Sequence, residues 1–270
     1  MNLRFRMNNV RAAQRFFGVV MILSVPFYAL GIMGEPMPLV PALPISALMA
    51  VVPMIAAALL VWQHGKGGAL VRFFRELFAV QGIRRLRWIV AALVIMPMAF
   101  ALTAGLVRVF GPALPALQLV RAPMILVSFA VFFIGAIGEE IGWQGYAYPR
   151  LIFGYSPLQA ALIIGVVWAL WHVVPFALMG RSAGWIIWQG AGMVLMRIII
   201  VWLVVKARGN IMVAVLFHVM SNSVWGVFAD FTRYYDPMFM CLVLAVAVAA
   251  MLRLSHLKIA PPTTHAVDLQ

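Results

Sequence analysis

Eight long apolar runs dominate the 270-residue chain and leave it few ways to fold: Phe16 to Met33, Pro44 to Gln63, Trp88 to Phe110, Pro123 to about Trp143, Pro157 to Leu178, Trp185 to Val205, Ile211 to Phe228 and Pro237 to Leu252. A bilayer core about 30 Å thick takes roughly 20 residues of helix to cross, and most of these runs approach or exceed that length. Lipid offers no partner to an unpaired backbone group, so only helices and closed barrels span it. A barrel is built from short alternating segments, whereas these runs are unbroken. The expected fold is therefore all-α, a polytopic transmembrane bundle of about eight helices. Composition agrees: 65% of residues are hydrophobic, 10% are charged and the mean hydropathy is +1.03, too little polar surface to cover a soluble globule.

Charge distribution orients the bundle. Most of the 20 Lys and Arg residues fall in alternate connections and ends, between residues 4 and 15, 66 and 87, at 150, between 206 and 208, and at 253 and 258. The opposite connections hold only Arg108, Arg121, Arg181 and Arg233, with Arg197 left inside the sixth run. The positive-inside rule then places both termini in the cytoplasm. The net charge of +13 is accounted for in this way, and no nucleic-acid motif accompanies it, so nucleic acid is not an expected partner. The basic N-terminal stretch resembles a secretory signal, but its apolar run is too long and reads as a retained first helix. A single domain over residues 16–254 is expected between short tails at 1–15 and 255–270, the last reading as disordered in "APPTTHAVDLQ". In "LVRFFRELF", Leu70, Phe73, Phe74, Leu77 and Phe78 recur at helical spacing, which predicts a helix lying on the membrane surface or a packed connector. Cys241 has no partner cysteine, so neither a disulfide nor a cysteine metal site forms within the chain.

Against this background the polar residues inside the runs stand out. Of seven acids, Glu35, Glu76, Asp230, Asp236 and Asp268 fall in loops or tails, whereas Glu139 and Glu140 lie near the expected end of the fourth run. An ionisable group at a helix centre costs about 2.5 to 3.5 kcal/mol on insertion scales, so such groups mark functional sites by default; the alternative is that both are hydrated at the interface. His172 and His218 also fall inside runs, while His64, His256 and His265 do not. Asn222 follows His218 by four residues and shares its helical face. Pro175 removes the donor for the carbonyl of Trp171, next to His172, a break tolerated in a membrane only where something else satisfies the carbonyl. A carboxylate, two imidazoles and a carboxamide suit hydrolysis: the carboxylate takes a proton from water, and imidazole and amide donors hold an oxyanion. Glu139, His172 and His218 also match the ligand set of a catalytic zinc site, yet no HExxH spacing is present, so a divalent metal and a metal-independent glutamate mechanism both remain open. With Pro157 as the cytoplasmic start, His172 lies about 22 Å along its helix and His218 about 10 Å along its own.

These residues resemble the motifs of the CPBP intramembrane proteases, the group containing type II CAAX prenyl endopeptidases, Abi proteins and bacteriocin-processing or immunity proteins. Their motifs EExxxR, an aromatic residue four before a histidine, and HxxxN or HxxxD appear in order as Glu139 to Gln144, Trp168 to His172 and His218 to Asn222. The resemblance covers roughly residues 123–228. It implies that Glu139 activates the attacking water with help from His172, that His218 and Asn222 stabilise the oxyanion and that Glu140 supports the site. Gln144 stands where the family has arginine, so the carboxylates lose a motif cation; Arg150 is a replacement in charge but not in spacing.

The leading expectation is an intramembrane endopeptidase acting on a membrane-associated polypeptide, prenylated or of leader type, from within a multi-pass protein of the cell membrane. A non-catalytic immunity or regulatory protein on the same scaffold is the alternative that Gln144 favours. A proton-coupled transporter is a third, disfavoured by the lack of a repeat relating two halves.

Overall fold

In the computed structural model, which describes residues 3–34, 36–37, 40–65, 67–78, 86–111, 122–227 and 235–254, every one of the eight apolar runs forms helix. The order is α1 (Leu3–Ile32), a two-stranded antiparallel hairpin of β1 (Pro36–Met37) and β2 (Val40–Pro44), a 3-10 turn (Ile45–Val51) continuing into α2 (Val52–His64), α3 (Ala69–Phe78), α4 (Leu86–Phe110), α5 (Ala122–Glu140), a π-helical segment (Ile141–Ala147) with α6 (Tyr148–Leu151), α7 (Pro157–Leu178), α8 (Ala183–Lys206), α9 (Ile211–Val227) and α10 (Pro237–Leu254). Six of these are long and apolar enough to cross a membrane, and α9 and α10 are shorter apolar helices. The outer face is apolar: Ile22, Leu126 and Val246 are 70%, 72% and 72% exposed, as side chains facing lipid would be. The segment "APPTTHAVDLQ" and residues 255–270 lie outside the described residues.

Local chemistry sets several boundaries. Ser156 caps α7 by accepting from the amide of Gln159 at 3.3 Å, Gln159 Oε1 accepts from the amide of Ser156 at 2.9 Å, and Pro157 follows at the first helical position. Asp236, expected as a solvated loop acid, instead caps α10 by accepting from the amides of Met238 and Phe239 at 2.8 and 3.2 Å. The first helix starts at Leu3, so residues 3–15 are helical and not a separate tail. Ala13 and Phe16 are fully buried, and Arg6 Nε donates to the carbonyl of Phe153 at 2.8 Å, tying the basic end of α1 to the turn before α7. In α3, Phe73 is buried and Leu70, Phe74 and Leu77 pack on the core while Arg75 and Glu76 face outward. Its apolar face is thus a packed connector lying over the π segment, with Phe73 edge-on to Tyr146 at 6.5 Å.

The fourth run departs most from expectation. It does not end near Trp143; helix continues to Leu151, and Ile141 to Ala147 are all buried. Close approach of α2 explains why glycine recurs here: a Cβ on Gly142 would lie 2.5 Å from Pro53 Cβ, and one on Gly138 would lie 2.7 Å from the Ala50 carbonyl oxygen. Helices α7 and α8 are likewise drawn together at Gly165, where a Cβ would meet Val194 Cα at 3.1 Å and Arg197 Cβ at 3.2 Å. Gly142→Ala is expected to destabilise the protein by about 1 to 3 kcal/mol through overpacking against α2. Gly18→Ala, which meets nothing within 4 Å, should not. Thermal unfolding of the two variants in one detergent checks the contrast.

Candidate active site

Continuation of the fourth run changes the setting of its two acids. Glu139 lies twelve residues before Leu151, roughly 15 to 18 Å of helix from that end. It is 5% exposed and Glu140 is 0% exposed, so neither is an interfacial, hydrated acid. Both sit at the junction where α5 widens into the π segment, a form of helix often found at functional sites.

Glu140 is held by two donors. Arg197 Nη1 of α8 donates to its Oε2 at 2.7 Å, and His218 Nδ1 of α9 lies 2.8 Å from its Oε1. A buried carboxylate paired to a buried guanidinium (0% exposure for both side chains) is an acceptor only, so Nδ1 of His218 carries the ring proton and Nε2 is turned the other way. Nε2 lies 3.9 Å from Glu139 Oε1, too long for a direct hydrogen bond but within one bridging molecule. The guanidinium also sits 4.4 Å over the ring of Trp168.

Glu139 is held by tryptophans. Its Oε2 accepts from Trp168 Nε1 at 2.6 Å and from Trp143 Nε1 at 3.4 Å. Two indole donors on one oxygen leave Oε1 as the oxygen available for proton transfer. Trp168 also stands edge-on to both histidines, 5.5 Å from His172 and 5.3 Å from His218 between ring centroids. His172 Nδ1 lies 2.9 Å from the carbonyl of Trp168, which fixes Nδ1 as the donor and Nε2 as the ring's acceptor. Glu139, His218 and Arg197 all lie within electrostatic reach of this ring. Asn222 occupies the next turn of α9 after His218 and is partly buried, with Ser221 donating back to the His218 carbonyl at 2.7 Å. The structure thus brings Glu139, Glu140, His172 and His218 around Trp168, with Asn222 one turn further along α9. The unequal lengths counted along α7 and α9 do not keep the two rings apart, since both meet the indole of Trp168.

Two expectations about charge change. The carboxylates do not lack a cation: Arg197, more than fifty residues from the motif, supplies it. Arg150 does not take part, its Nη1 donating to the Tyr146 carbonyl at 2.9 Å and its guanidinium lying 3.5 Å over the Tyr146 ring. Gln144 is buried, and neither its Oε1 nor its Nε2 has a hydrogen-bond partner among the described residues. As for a metal, among the described residues no three His, Cys, Asp or Glu side chains are grouped so as to hold one. Glu139 Oε2 is taken by indoles, and Nδ1 of each histidine is taken by an acceptor. Glu139 Oε1 and Nε2 of His172 and of His218 are the atoms left to face an ion.

A family described as "Type II CAAX prenyl endopeptidase Rce1-like" matches residues 121–224. The motif-bearing region is therefore similar to that family. A protein named "CAAX prenyl protease 2" from Methanococcus maripaludis is 29% identical over 124 residues, which span 44% of this chain and 45% of the relative. Less than half of either protein is therefore aligned. The Rce1-like region contains α5, the π segment, α7, α8 and most of α9, and so holds every residue of the cluster described above.

Arg197→Gln is expected to destabilise the protein by about 3 to 5 kcal/mol, because it leaves Glu140 buried without its cation. Replacing both partners, as in Glu140→Met with Arg197→Met, should cost less than Arg197→Gln alone. Unfolding of the two variants and the unaltered protein in matched detergent measures this; a double variant at least as destabilised as Arg197→Gln would show that the pair is not coupled.

Proposed function

We propose that the protein is an intramembrane endopeptidase that hydrolyses a peptide bond of a membrane-associated polypeptide, with water activated by Glu139 and His172. The observation that carries this reading is the division of labour between the two acids: Glu140 is tied to Arg197 and His218, while Glu139 keeps Oε1 without a direct hydrogen bond, 3.9 Å from His218 Nε2. Water held between Glu139 Oε1 and His172 Nε2 gives a proton to Glu139 as its oxygen attacks the scissile carbonyl. The oxyanion that forms accepts from the Asn222 carboxamide and from Nε2–H of His218, which acts here as the imidazolium with its Nδ1–H on Glu140. Glu139 then returns the proton to the departing amine as the C–N bond breaks, which leaves the enzyme as it began. His218 keeps its Nδ1 proton on Glu140 throughout, so the oxyanion donor is held in place by the acid that does not react.

The relative's printed name, the multi-pass fold and the depth of the site support a membrane-associated substrate, prenylated or of leader type, and a location in the cell membrane. No step requires a metal. Gln144 no longer favours a non-catalytic scaffold, since the charge missing there is present at Arg197.

Hydrolysis of a fluorogenic prenylated peptide by purified protein in nanodiscs tests the reading. Glu139→Gln should lower kcat by about 10²- to 10⁴-fold, the range for loss of a positioned base. Turnover equal to that of the unaltered protein would remove Glu139 from the mechanism. Asn222→Ala should lower kcat by about 10²- to 10³-fold with little change in KM, as loss of an oxyanion donor does. Zinc chelators at millimolar concentration should leave turnover unchanged within about twofold; a loss restored by added zinc would require a metal step.

A further inference from the structure

The carbonyl of Trp171 loses its helical donor because residue 175 is proline, and it immediately precedes His172 in α7. The hydroxyl of Tyr28, in α1, donates to that same carbonyl at 2.7 Å. One turn earlier in α1, Ser24 Oγ accepts the indole Nε1–H of Trp171 at 2.6 Å and donates to the carbonyl of Val20 at 2.8 Å. Helix α1 therefore grips Trp171 by both its backbone and its side chain, and both Ser24 and Trp171 are fully buried. Trp171 stands edge-on to His172 with ring centroids 4.8 Å apart, and edge-on to Trp143, the second indole on Glu139, at 5.7 Å.

We infer that Tyr28 and Ser24 are positioning residues: they form a latch from the first helix that fixes α7 at its proline and so holds the ring of His172 in its working orientation. A phenylalanine at 28 would fill nearly the same volume. What the hydroxyl adds is a donor at the carbonyl that Pro175 has orphaned. Without it that carbonyl must find another partner, and the helix re-bends at the turn that carries His172. Because Nδ1 of His172 bonds the carbonyl of Trp168 one turn back, a change in bend alters which ring nitrogen keeps the proton. The latch lies outside residues 121–224, so the region that matches the Rce1-like family depends on a helix that the match does not include. Its effect on turnover rests on the hydrolytic reading; its effect on the His172 ring does not.

The proline supplies the control. Pro175→Ala restores an N–H to the Trp171 carbonyl and should make the Tyr28 hydroxyl redundant. Full-length protein, Tyr28→Phe, Pro175→Ala and the double variant are compared by ¹⁵N NMR of the histidine ring nitrogens, with His172→Gln identifying the His172 signals, and by hydrolysis of the same fluorogenic peptide. Tyr28→Phe should shift the His172 nitrogens toward a mixture of tautomers and lower kcat about tenfold with KM within twofold, since small misplacements of a catalytic group cost 10- to 100-fold. The double variant should return both toward their starting values. His172 signals unmoved by Tyr28→Phe, or moved equally with proline or alanine at 175, would overturn the latch. If Pro175→Ala does not fold, Ser24→Ala, which frees the Trp171 indole, should move the same signals, and its failure to do so is equally decisive. If no form of the protein cleaves peptide, the ring signals still decide the latch while the hydrolytic reading falls by itself.

Discussion

A carboxylate buried in an apolar bundle must be paired, and the pairing of Glu140 with Arg197 is the interaction on which the rest of this molecule is arranged. At 2.7 Å with no solvent exposure on either side chain, the two ions are compensated only by each other and by the groups around them. The guanidinium reaches the acid because Gly165 lets α8 lie against α7, and its face rests on Trp168. His218 closes the cluster by giving its Nδ1 proton to the same carboxylate. Four helices are thereby tied at one point, and the pair fixes both the register of α8 and the tautomer of the α9 histidine. Such a pair adds little net stability compared with well-packed apolar side chains; what it adds here is a defined orientation for the groups beside it.

The two helices that carry Glu139 and His172 are both irregular where they do so. The acid's helix widens into a π segment just past Glu140, and the helix of His172 contains a proline three residues later. In lipid such irregularity persists only where protein satisfies the freed backbone groups. Glycines admit α2 against the π segment, and Tyr28 answers the orphaned carbonyl on α7. Both supports come from the first third of the chain. Helices α1 and α2 therefore act on the site although neither contributes a reacting group.

Much of this was legible in the sequence because membrane insertion penalises the informative residues. Glu139, Glu140, His172 and His218 were visible as polar groups in apolar runs, and hydropathy located all eight helices, Pro157–Leu178 to the residue. The end of the fourth run was misjudged because its two adjacent acids read as the end of a membrane-embedded segment. In fact Gln144 is buried and Arg150 is drawn onto Tyr146, so the polar residues mark no boundary. The helical start of the chain was hidden by its charge, which faces outward while Ala13 and Phe16 pack inward. Trp168 and Trp143 gave no sign of holding Glu139, since an indole counts as apolar in any hydropathy scale although a buried one needs an acceptor. Arg197 did give a sign. A cation in the middle of an apolar helix carries the same penalty as an acid, and the carboxylates needed a cation; only the habit of seeking it at motif spacing kept the two apart.

The pairing of Glu140 with Arg197, and not with residue 144, follows from what the acid requires. Glu140 needs one guanidinium within hydrogen-bond reach, and electrostatics is indifferent to which helix brings it. An arginine four residues later on the same segment can meet that need, and so can Arg197 from α8. With Arg197 in place, the residue at 144 is released from carrying charge, and a neutral side chain is what that position can then hold. The glutamine amide, buried in the π segment without a hydrogen-bond partner among the described residues, has the size of an arginine stem and none of its charge. The charge beside Glu140 is thus met from α8 and not from its own segment, which is why glutamine at 144 leaves the cluster around Glu139 intact.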